Sequence, residues 1–460
     1  MPGQPGVMVG NRSSSRRDWT QGSLVRNLWN LSWPAMVTQV LYVFGLVVDL
    51  VFIAKLGPAP TAGAGIGGMV VIIVVAGLSG LGTGVRAIIA RRYGAGDAAG
   101  AAHAAEQSIL VSIGYGVIIG AALFSLASPV MSLFGVAAAV AHEGAAYLQI
   151  WGIAAIPLSI YTMNFSIMQA SGDTASPMKI MILVRALHLV VDPFLIFGLW
   201  IFPRLEVRGA ALTSVITLSL ALVLTSVIVA KKQYVRSTLS RFRPNLGMLW
   251  RITKVGFPAS IMGVQRSFSN LVLTSFMVPF GTAAVASHLV IQRVDMVLTM
   301  VTTGLGIASG VLAAHYLGAR QLDKAGKSGW LAVGMGTSIM LICSMPLLLW
   351  PEIVVHIFTS DPSLVAMASA FLRIAAVGYM CQSFSAVLQG TISGTGDTVA
   401  TMVLTLAMTW AIQIPAAYAM SRMGYLSVYG VRWAMVASLV FGGIIFIVYY
   451  WRGKWKTRKV

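Results

Sequence analysis

The sequence predicts an all-α membrane protein whose twelve transmembrane helices form two six-helix bundles related by a pseudo-two-fold axis. Three observations lead to this prediction: an apolar composition, twelve long apolar runs, and an internal repeat. Hydrophobic residues make up 57% of the 460 residues and charged residues only 10%, and the mean hydropathy is +0.82. Water-soluble folds of this length do not have such a composition.

Each apolar run is long enough to cross about 30 Å of hydrocarbon as a helix. Barrel strands would alternate over about ten residues, and these runs do not alternate, so they favour helices. The predicted spans are 28–54, 63–89, 104–127, 145–170, 177–200, 208–230, 252–279, 284–313, 326–350, 364–391, 400–421 and 429–451.

The two halves of the chain repeat each other at a constant offset of 224 residues. The matched positions are Pro34 and Pro258, Gly57 and Gly281, Gly82 and Gly306, Gly94 and Gly318, Phe134 and Phe358, Asp173 and Asp397, and Val207 and Val431. A duplication within a membrane usually places a binding site between the two copies. Because six spans per copy leave both copies in the same orientation, the symmetry axis is predicted to run along the membrane normal.

The net charge of +19 is concentrated in the loops on one side of this topology. That side holds Arg12, Arg16, Arg17, Arg26, Arg91, Arg92, Lys231, Lys232, Arg236, Arg241, Arg243, Arg320, Lys324, Lys327 and the basic residues of 452–459. The opposite loops are assigned Lys55, Arg204, Arg422, Arg432, Glu206, Glu352 and Asp361. The positive-inside rule then predicts that both termini are cytoplasmic in a plasma or inner membrane. Since topology explains the basic residues, no nucleic acid is expected as a partner.

These assignments divide the chain into two lobes with three flanking segments. The segments are a disordered cytoplasmic N-terminus (1–27), an N-terminal lobe (28–230), a basic linker (231–251), a C-terminal lobe (252–451) and a basic tail (452–460). The first long apolar run is a full spanning helix, so no cleavable signal peptide is expected.

Motifs between the helices resemble those of the multidrug and toxic compound extrusion (MATE) transporters. They are Trp33-Pro34, Lys55-Leu56-Gly57, Arg92 to Gly96, Ser171 to Thr174, Gly256 to Pro258, Leu317 to Ala319, and Gly394 to Thr398. The resemblance covers nearly the whole chain. It implies two bundles that face each other across a central cavity, and export of organic molecules in exchange for protons or sodium ions. The loop motifs are interpreted as structural, because Gly permits tight turns and Asp173 and Asp397 can cap the following helices.

Three ionisable residues of the first repeat are candidates for ion coupling: Asp49 in the first span, and His188 and Asp192 in the fifth. A charged group in hydrocarbon is costly unless it is paired, hydrated or protonated, so such residues indicate function. Asp49 lies about five residues, and Asp192 about eight, from the outer ends of their spans. This difference of about one turn allows them to meet in one pocket. His188 and Asp192 lie four residues apart, on one helix face.

Two neighbouring carboxylates in such a place oppose each other's ionisation, and a histidine can share the proton that they retain. The resemblance implies the same role, because the DinF-like branch of the family keeps an acidic residue at the positions of Asp49 and Asp192. That branch has a polar amide where this chain has His188. Protons are the expected coupling ion, and Na⁺ at the two carboxylates is the alternative. Pro34, as a bend point, and Asn164, as a polar partner, are expected companions in the cavity.

The repeat does not duplicate these three residues. The equivalent positions in the second half are Leu273, Ile412 and Ala416. Residues that both halves share are therefore interpreted as structural, and residues that only one half has are interpreted as part of the mechanism. The alternative interpretations are that Asp49 snorkels to the membrane surface, that Asp192 makes a polar contact at a helix end, and that His188 is a packing residue.

The second half carries further candidates for the substrate cavity: Gln265, Arg266, Asp295 and Arg373. Another branch of the family has a glutamate in the seventh span, where this chain has Gln265 and Arg266, which argues against a second cation site. One interpretation pairs Arg266 with Asp295 as a structural contact, because both lie at similar depth. The other places Arg266 and Arg373 in the cavity, where they would favour anionic or zwitterionic substrates.

Other functional classes leave weaker signals. Ser79 lies in a GxSG pattern that intramembrane serine proteases also contain, but the surrounding glycines are typical of helix packing. No phosphate-binding loop for ATP is present in the sequence. We therefore predict a monomeric secondary antiporter, not an enzyme, that has no cofactor or resident metal and whose partners are lipid and a small organic substrate. A flippase for lipids or glycan-lipids and a non-transporting sensor are the alternatives.

Overall fold

The computed structural model describes residues 18–235, 244–423 and 426–458, and within these ranges the chain is helical and contains no strand. The first half forms α1 (Leu24–Ala54), α2 (Pro58–Gly94), α3 (Ala98–Ser125), α4 (Ala127–Ser132), α5 (Ala138–Ala170), α6 (Ala175–Phe197) and α7 (Val207–Lys231). The second half forms α8 (Leu246–Ser275), α9 (Thr282–Gly318), α10 (Leu322–Leu349), α11 (Pro351–Val355), α12 (Pro362–Gly394), α13 (Thr398–Leu406), α14 (Ile414–Ser421) and α15 (Ser427–Arg452). A π-helix, Ala407–Gln413, joins α13 to α14.

The helix bounds repeat with the sequence. Adding 224 to the bounds of α2, α3 and α5 gives the bounds of α9, α10 and α12. Among the described residues, ten helices are long and apolar enough to cross a membrane, with α13 to α14 counted as one. The helices α1 and α8, with 31 and 30 residues, complete the twelve. The predicted fold of two six-helix bundles is confirmed.

Several segment bounds differ from the sequence assignment. The first helix begins at Leu24, inside the predicted disordered tail, because the Asn27 amide donates to the carbonyls of Trp19 and Gln21 at 3.1 and 2.7 Å. Trp19 is buried. The last six residues of the predicted linker already belong to α8, which begins at Leu246. Residues 1–17 of the tail and 236–243 of the linker lie outside the described residues.

The two equivalent loop aspartates have different partners. Asp173 accepts a hydrogen bond from the backbone N–H of Ser176 at 3.0 Å, as predicted for a helix cap. Asp397 makes no side-chain cap bond. Its carboxylate instead accepts from the Tyr449 hydroxyl at 2.5 Å and from Arg458 Nε at 3.2 Å, so it anchors the C-terminal tail.

We call the end of the bundle that carries the start of α1 and the end of α15 the termini face, and the opposite end the far face. Two contacts between the lobes are copies of each other. Gly80 packs against Ser260, and Gly304 packs against Met36. Adding 224 to residues 36 and 80 gives residues 260 and 304. The two contacts are therefore related to each other by the pseudo-two-fold axis. We call the four residues Met36, Gly80, Ser260 and Gly304 the glycine seam.

The lobes approach each other in the part of the molecule nearest the termini face. On that side Gly94 packs against His315, and Gly318 packs against the carbonyl of Arg91. Among the described residues, the glycine contacts and hydrogen bonds between the lobes that lie furthest from this face are Gly263 against Ala76 and Gln39 Nε2 to Met300 Sδ at 3.9 Å, about midway along the helices. No contact of these two kinds joins the lobes beyond this level in the described part of the chain, which is the arrangement of a cleft that opens toward the far face.

A single methyl group added to the seam is expected to push the lobes apart. In Gly80→Ala or Gly304→Ala, the new Cβ meets backbone atoms of the other lobe, so relief requires a lobe movement that costs about 1–3 kcal/mol. Spin labels on the termini face at the exposed, repeat-equivalent positions Ala99 and Asp323 should report longer distances. Gly114→Ala, which adds a methyl group in open space, is the matched control. An unchanged distance distribution in both seam variants would contradict the expectation.

Candidate functional site

Asp49, His188 and Asp192 meet between α1 and α6 near the far face. His188 Nε2 lies 2.7 Å from Asp49 Oδ1 and 3.9 Å from Asp192 Oδ2. Asp49 and Asp192 each lie five residues before the ends of their helices, Ala54 and Phe197, or about 8 Å. The one-turn difference in depth expected from the sequence is not observed, because α6 ends three residues before the predicted span.

The cluster is enclosed by protein. Asp192 is fully buried, and the side chains of His188 and Asp49 are 3% and 13% exposed. Neither carboxylate oxygen of Asp192 has a hydrogen-bond partner among the described residues. A buried carboxylate without donors is stable only when it is protonated or lies beside a cation. The described residues therefore leave Asp192 without the donors that a buried charge requires.

Thr217 on α7 contacts the other nitrogen of the histidine ring. His188 Nδ1 lies 3.1 Å from the Thr217 hydroxyl, which also lies 2.8 Å from the carbonyl of Thr213. The 2.7 Å contact between His188 Nε2 and Asp49 Oδ1 is a hydrogen bond, so one hydrogen lies between the two side chains.

The turn after α6 positions Asp192 against α7. Gly198 ends the helix in the left-handed conformation, with φ of 70°, which glycine adopts without strain. The backbone N–H groups of Leu205 and Glu206 then donate to the carbonyls of Leu195 and Ile196, both at 3.1 Å. These bonds fix the two helices as a hairpin, and the face of α6 that carries the acid meets the threonines of α7.

Two predicted companions lie elsewhere. Asn164 Nδ2 donates to Thr225 Oγ1 at 3.1 Å. Thr225 lies eight residues beyond Thr217 on α7, about 12 Å closer to the termini face. Pro34 is buried in α1, fifteen residues and about 22 Å from Asp49. The structure does not bring either residue to the acidic cluster.

Asp295 pairs with Arg432 and not with Arg266. Arg432 Nη1 lies 3.1 Å from Asp295 Oδ2, and the Tyr379 hydroxyl donates to the other oxygen. Arg432 is 1% exposed within α15 and also donates to the carbonyl of His288 at 3.0 Å. Its assignment to an outer loop is therefore wrong, as is the pairing of Arg266 with Asp295.

A sequence signal for the Arg432 pair existed. Arg432 falls inside the twelfth predicted span, where an arginine needs an internal acidic partner. Asp295 is the acidic residue that the spans of the second half offer.

The remaining candidates of the second lobe differ in the hydrogen-bond and ion-pair partners of their side chains. Gln265 is 8% exposed, and its Oε1 has no hydrogen bond within the described residues. Arg373 Nη2 lies 2.7 Å from Glu352 Oε1, and both side chains are about half exposed, so its charge is matched. Arg266 is exposed and makes no ion pair with any residue that the structure describes.

Ser79 lies within the continuous helix α2, so no strained turn presents it as a nucleophile. The Ser260 hydroxyl donates to the carbonyl of Gly77 at 2.6 Å, and Gly80 belongs to the glycine seam. The GxSG pattern is therefore part of the packing between the lobes.

Comparison with known proteins gives a consistent result along the whole chain. The MatE family model matches it twice, over residues 34–194 and 258–419. A probable multidrug resistance protein NorM from Thermotoga maritima is 24% identical over 439 residues, which cover 95% of this chain and 94% of the relative. Its counterpart in Pseudomonas aeruginosa is 27% identical over 445 residues, which cover 95% and 90%.

Solved structures share the fold. One, described as an outward-facing conformation of a multidrug resistance MATE family transporter, superposes with a TM-score of 0.90 at 23% identity and covers 96% of this chain and 98% of that one. A MOP superfamily transporter from Pyrococcus furiosus, for which reverse polarity of the binding pocket is described, superposes with a TM-score of 0.90 at 22% identity. The superposition covers 97% of this chain and 100% of that one.

Proposed function

Because this chain belongs to the MATE family of membrane transporters, which are not enzymes, we propose that it is a secondary antiporter that exports organic molecules in exchange for protons. The observation that carries the proposal is the buried cluster of Asp49, His188 and Asp192 in the N-terminal lobe. The names of the NorM relatives support drug-like molecules as the substrates.

The cluster suits a step in which one proton is taken up and released. Asp49 is already hydrogen-bonded to His188, so Asp192, which lacks hydrogen-bond donors, is the acceptor for the incoming proton. That proton arrives from the far face and removes the charge that holds the cluster together. The first lobe then relaxes, substrate leaves, and the return movement releases the proton on the opposite side.

The distribution of charge supports one orientation. Arg91, Lys232 and Arg452 lie at the termini face, and the positive-inside rule favours a cytoplasmic position for that face. The cleft that widens toward the far face then faces outward. Alternation between this state and one open to the cytoplasm supplies the transport step.

Sodium is the alternative coupling ion. One ligand atom from each residue of the cluster lies within 4.8 Å of the others, a spacing that a small cation can bridge. The short contact between His188 and Asp49 favours protons, because it already uses one carboxylate oxygen for a shared hydrogen.

Imposed gradients separate the two ions. In proteoliposomes with a fluorescent organic substrate, we expect a pH gradient alone to drive transport, and a sodium gradient at constant pH to leave it at the level of protein-free vesicles. The physical reason is that Na⁺ cannot replace the hydrogen that joins Asp49 to His188. Transport driven by sodium alone would overturn the proposal. Vesicles containing Asp323→Asn, an exposed acid far from the cluster, are the control.

A further inference from the structure

Two arginines of the C-terminal lobe are placed on the surface of the cleft. On α8, Gly263 packs against Ala76 of the other lobe. Arg266 and Asn270 follow it by three and seven residues, so they continue the same helix face one and two turns nearer the far face. Both are exposed. Arg266 therefore lies where the lobes have separated.

The second arginine occupies the matching place on α9. Gly304 packs against Met36, and Met300 contacts Gln39, so these residues mark the face of α9 that meets the first lobe. Arg293 lies seven residues before Met300, which is two turns along that face. It is exposed.

The two arginines lie at one depth, near the middle of the membrane-spanning part. Arg266 is nine residues from the end of α8, and Arg293 is eleven residues from the start of α9, or about 14 and 17 Å from the far face. An arginine at this depth is tolerated where it faces water and not lipid. Their exposed positions are therefore part of a hydrated cleft.

No acidic side chain of the lining helices is available to neutralise them. Asp49 is committed to His188, and Asp295 is committed to Arg432 and Tyr379. Neither Arg266 nor Arg293 has an ion pair within the described part of the chain. This wall of the cleft carries two unmatched positive charges.

The opposite wall is apolar. Ile73 and Met69 precede Ala76 by three and seven residues, so they continue the face of α2 that contacts α8. Met69 is 49% exposed. A molecule in the cleft would meet guanidinium groups on one side and aliphatic side chains on the other.

From this arrangement we infer that the transported substrates are amphiphilic organic anions. A carboxylate or sulfonate group binds at the wall that carries Arg266 and Arg293, since guanidinium groups recognise such planar or multi-oxygen anions through paired hydrogen bonds. The apolar body lies against Met69 and Ile73. The inference rests on the proposed function in that the cleft is taken as the transport site, and it names the class of molecule exported.

Binding to the purified protein tests the inference without any ion gradient. Two probes with the same dansyl fluorophore are compared. One carries an ethanesulfonate group and the other a trimethylammonium group. In nanodiscs of phosphatidylcholine, the sulfonate should bind at least about tenfold more tightly than the ammonium probe. Arg266→Gln and Arg293→Gln should each weaken sulfonate binding by roughly tenfold. Arg373→Gln, which removes an arginine already paired with Glu352, should leave it unchanged.

Three outcomes would overturn the inference. They are tighter binding of the ammonium probe, unchanged sulfonate binding in the Arg266→Gln/Arg293→Gln double variant, and complete displacement of the probe when phosphatidylglycerol is included in the nanodiscs. The last would assign the arginines to a lipid headgroup and not to a soluble anion. Failure of proton coupling in vesicles, with charge-selective binding intact, would count against the proposed antiport and leave the inferred substrate class standing.

Discussion

Asp192→Asn abolishes substrate-coupled proton movement. The amide has nearly the shape of the carboxylic acid but cannot take up and release a proton in the physiological range, and Asp192 is the member of the cluster without hydrogen-bond donors. Asp49→Asn has the same effect, because an amide cannot exchange a proton with His188, whose Nε2 lies 2.7 Å from the Asp49 carboxylate. In proteoliposomes with a trapped pH-sensitive dye, proton flux on substrate addition should fall to the level of protein-free vesicles.

Controls separate loss of coupling from loss of folding. Both asparagine variants should elute as one species on size exclusion and unfold at nearly the wild-type temperature, because neither removes apolar packing. Asp323→Asn, in an exposed first turn of α10, should retain coupling. If Asp49→Asn and Asp192→Asn both keep full proton flux, the cluster is not the coupling site.

Asp295→Asn destabilises the C-terminal lobe by about 3–5 kcal/mol. Arg432 is 1% exposed, and the variant leaves its guanidinium buried without the carboxylate at 3.1 Å. The cost of an uncompensated buried charge exceeds the net contribution of the intact pair. Thermal unfolding in detergent, followed by tryptophan fluorescence, should show a lower transition temperature.

A double variant tests whether the effect belongs to the pair. In Asp295→Leu/Arg432→Met both charges are replaced by apolar groups of similar length, and stability should return close to that of wild type. Arg373→Gln breaks the half-exposed pair with Glu352 and should change stability by less than about 1 kcal/mol. If the two single losses simply add in the double variant, the contact is not the source of the destabilisation.

Hydropathy and the repeat were sufficient to predict the helices, since both depend on local composition. They also pointed to Asp49, His188 and Asp192, because ionisable residues inside apolar runs are conspicuous. The sequence does not specify which partner a side chain meets across the bundle. The 224-residue repeat predicts that Asp397 caps a helix as Asp173 does. The carboxylate of Asp397 instead accepts a hydrogen bond from Arg458 in the C-terminal tail.

Rotation about a helix axis was the second unknown. Similar depth in the membrane suggests a pair between Arg266 and Asp295, but depth does not tell whether two side chains point toward each other. Only the contacts of Gly263 with Ala76 show which face of α8 meets the cleft. The sequence does not predict the short helices α4 and α11 or the π-helix, because runs of five to seven residues leave no periodic signal.

The glycine seam bears on how such a chain could arise. Gly80 meets Ser260 and Gly304 meets Met36, so each repeat supplies one glycine and one residue that covers the other repeat's glycine. A half-length ancestor with one repeat would carry both partners of the contact on a single surface. Two identical copies could then associate as an isologous dimer, which gene fusion would convert into one polypeptide without designing a new interface.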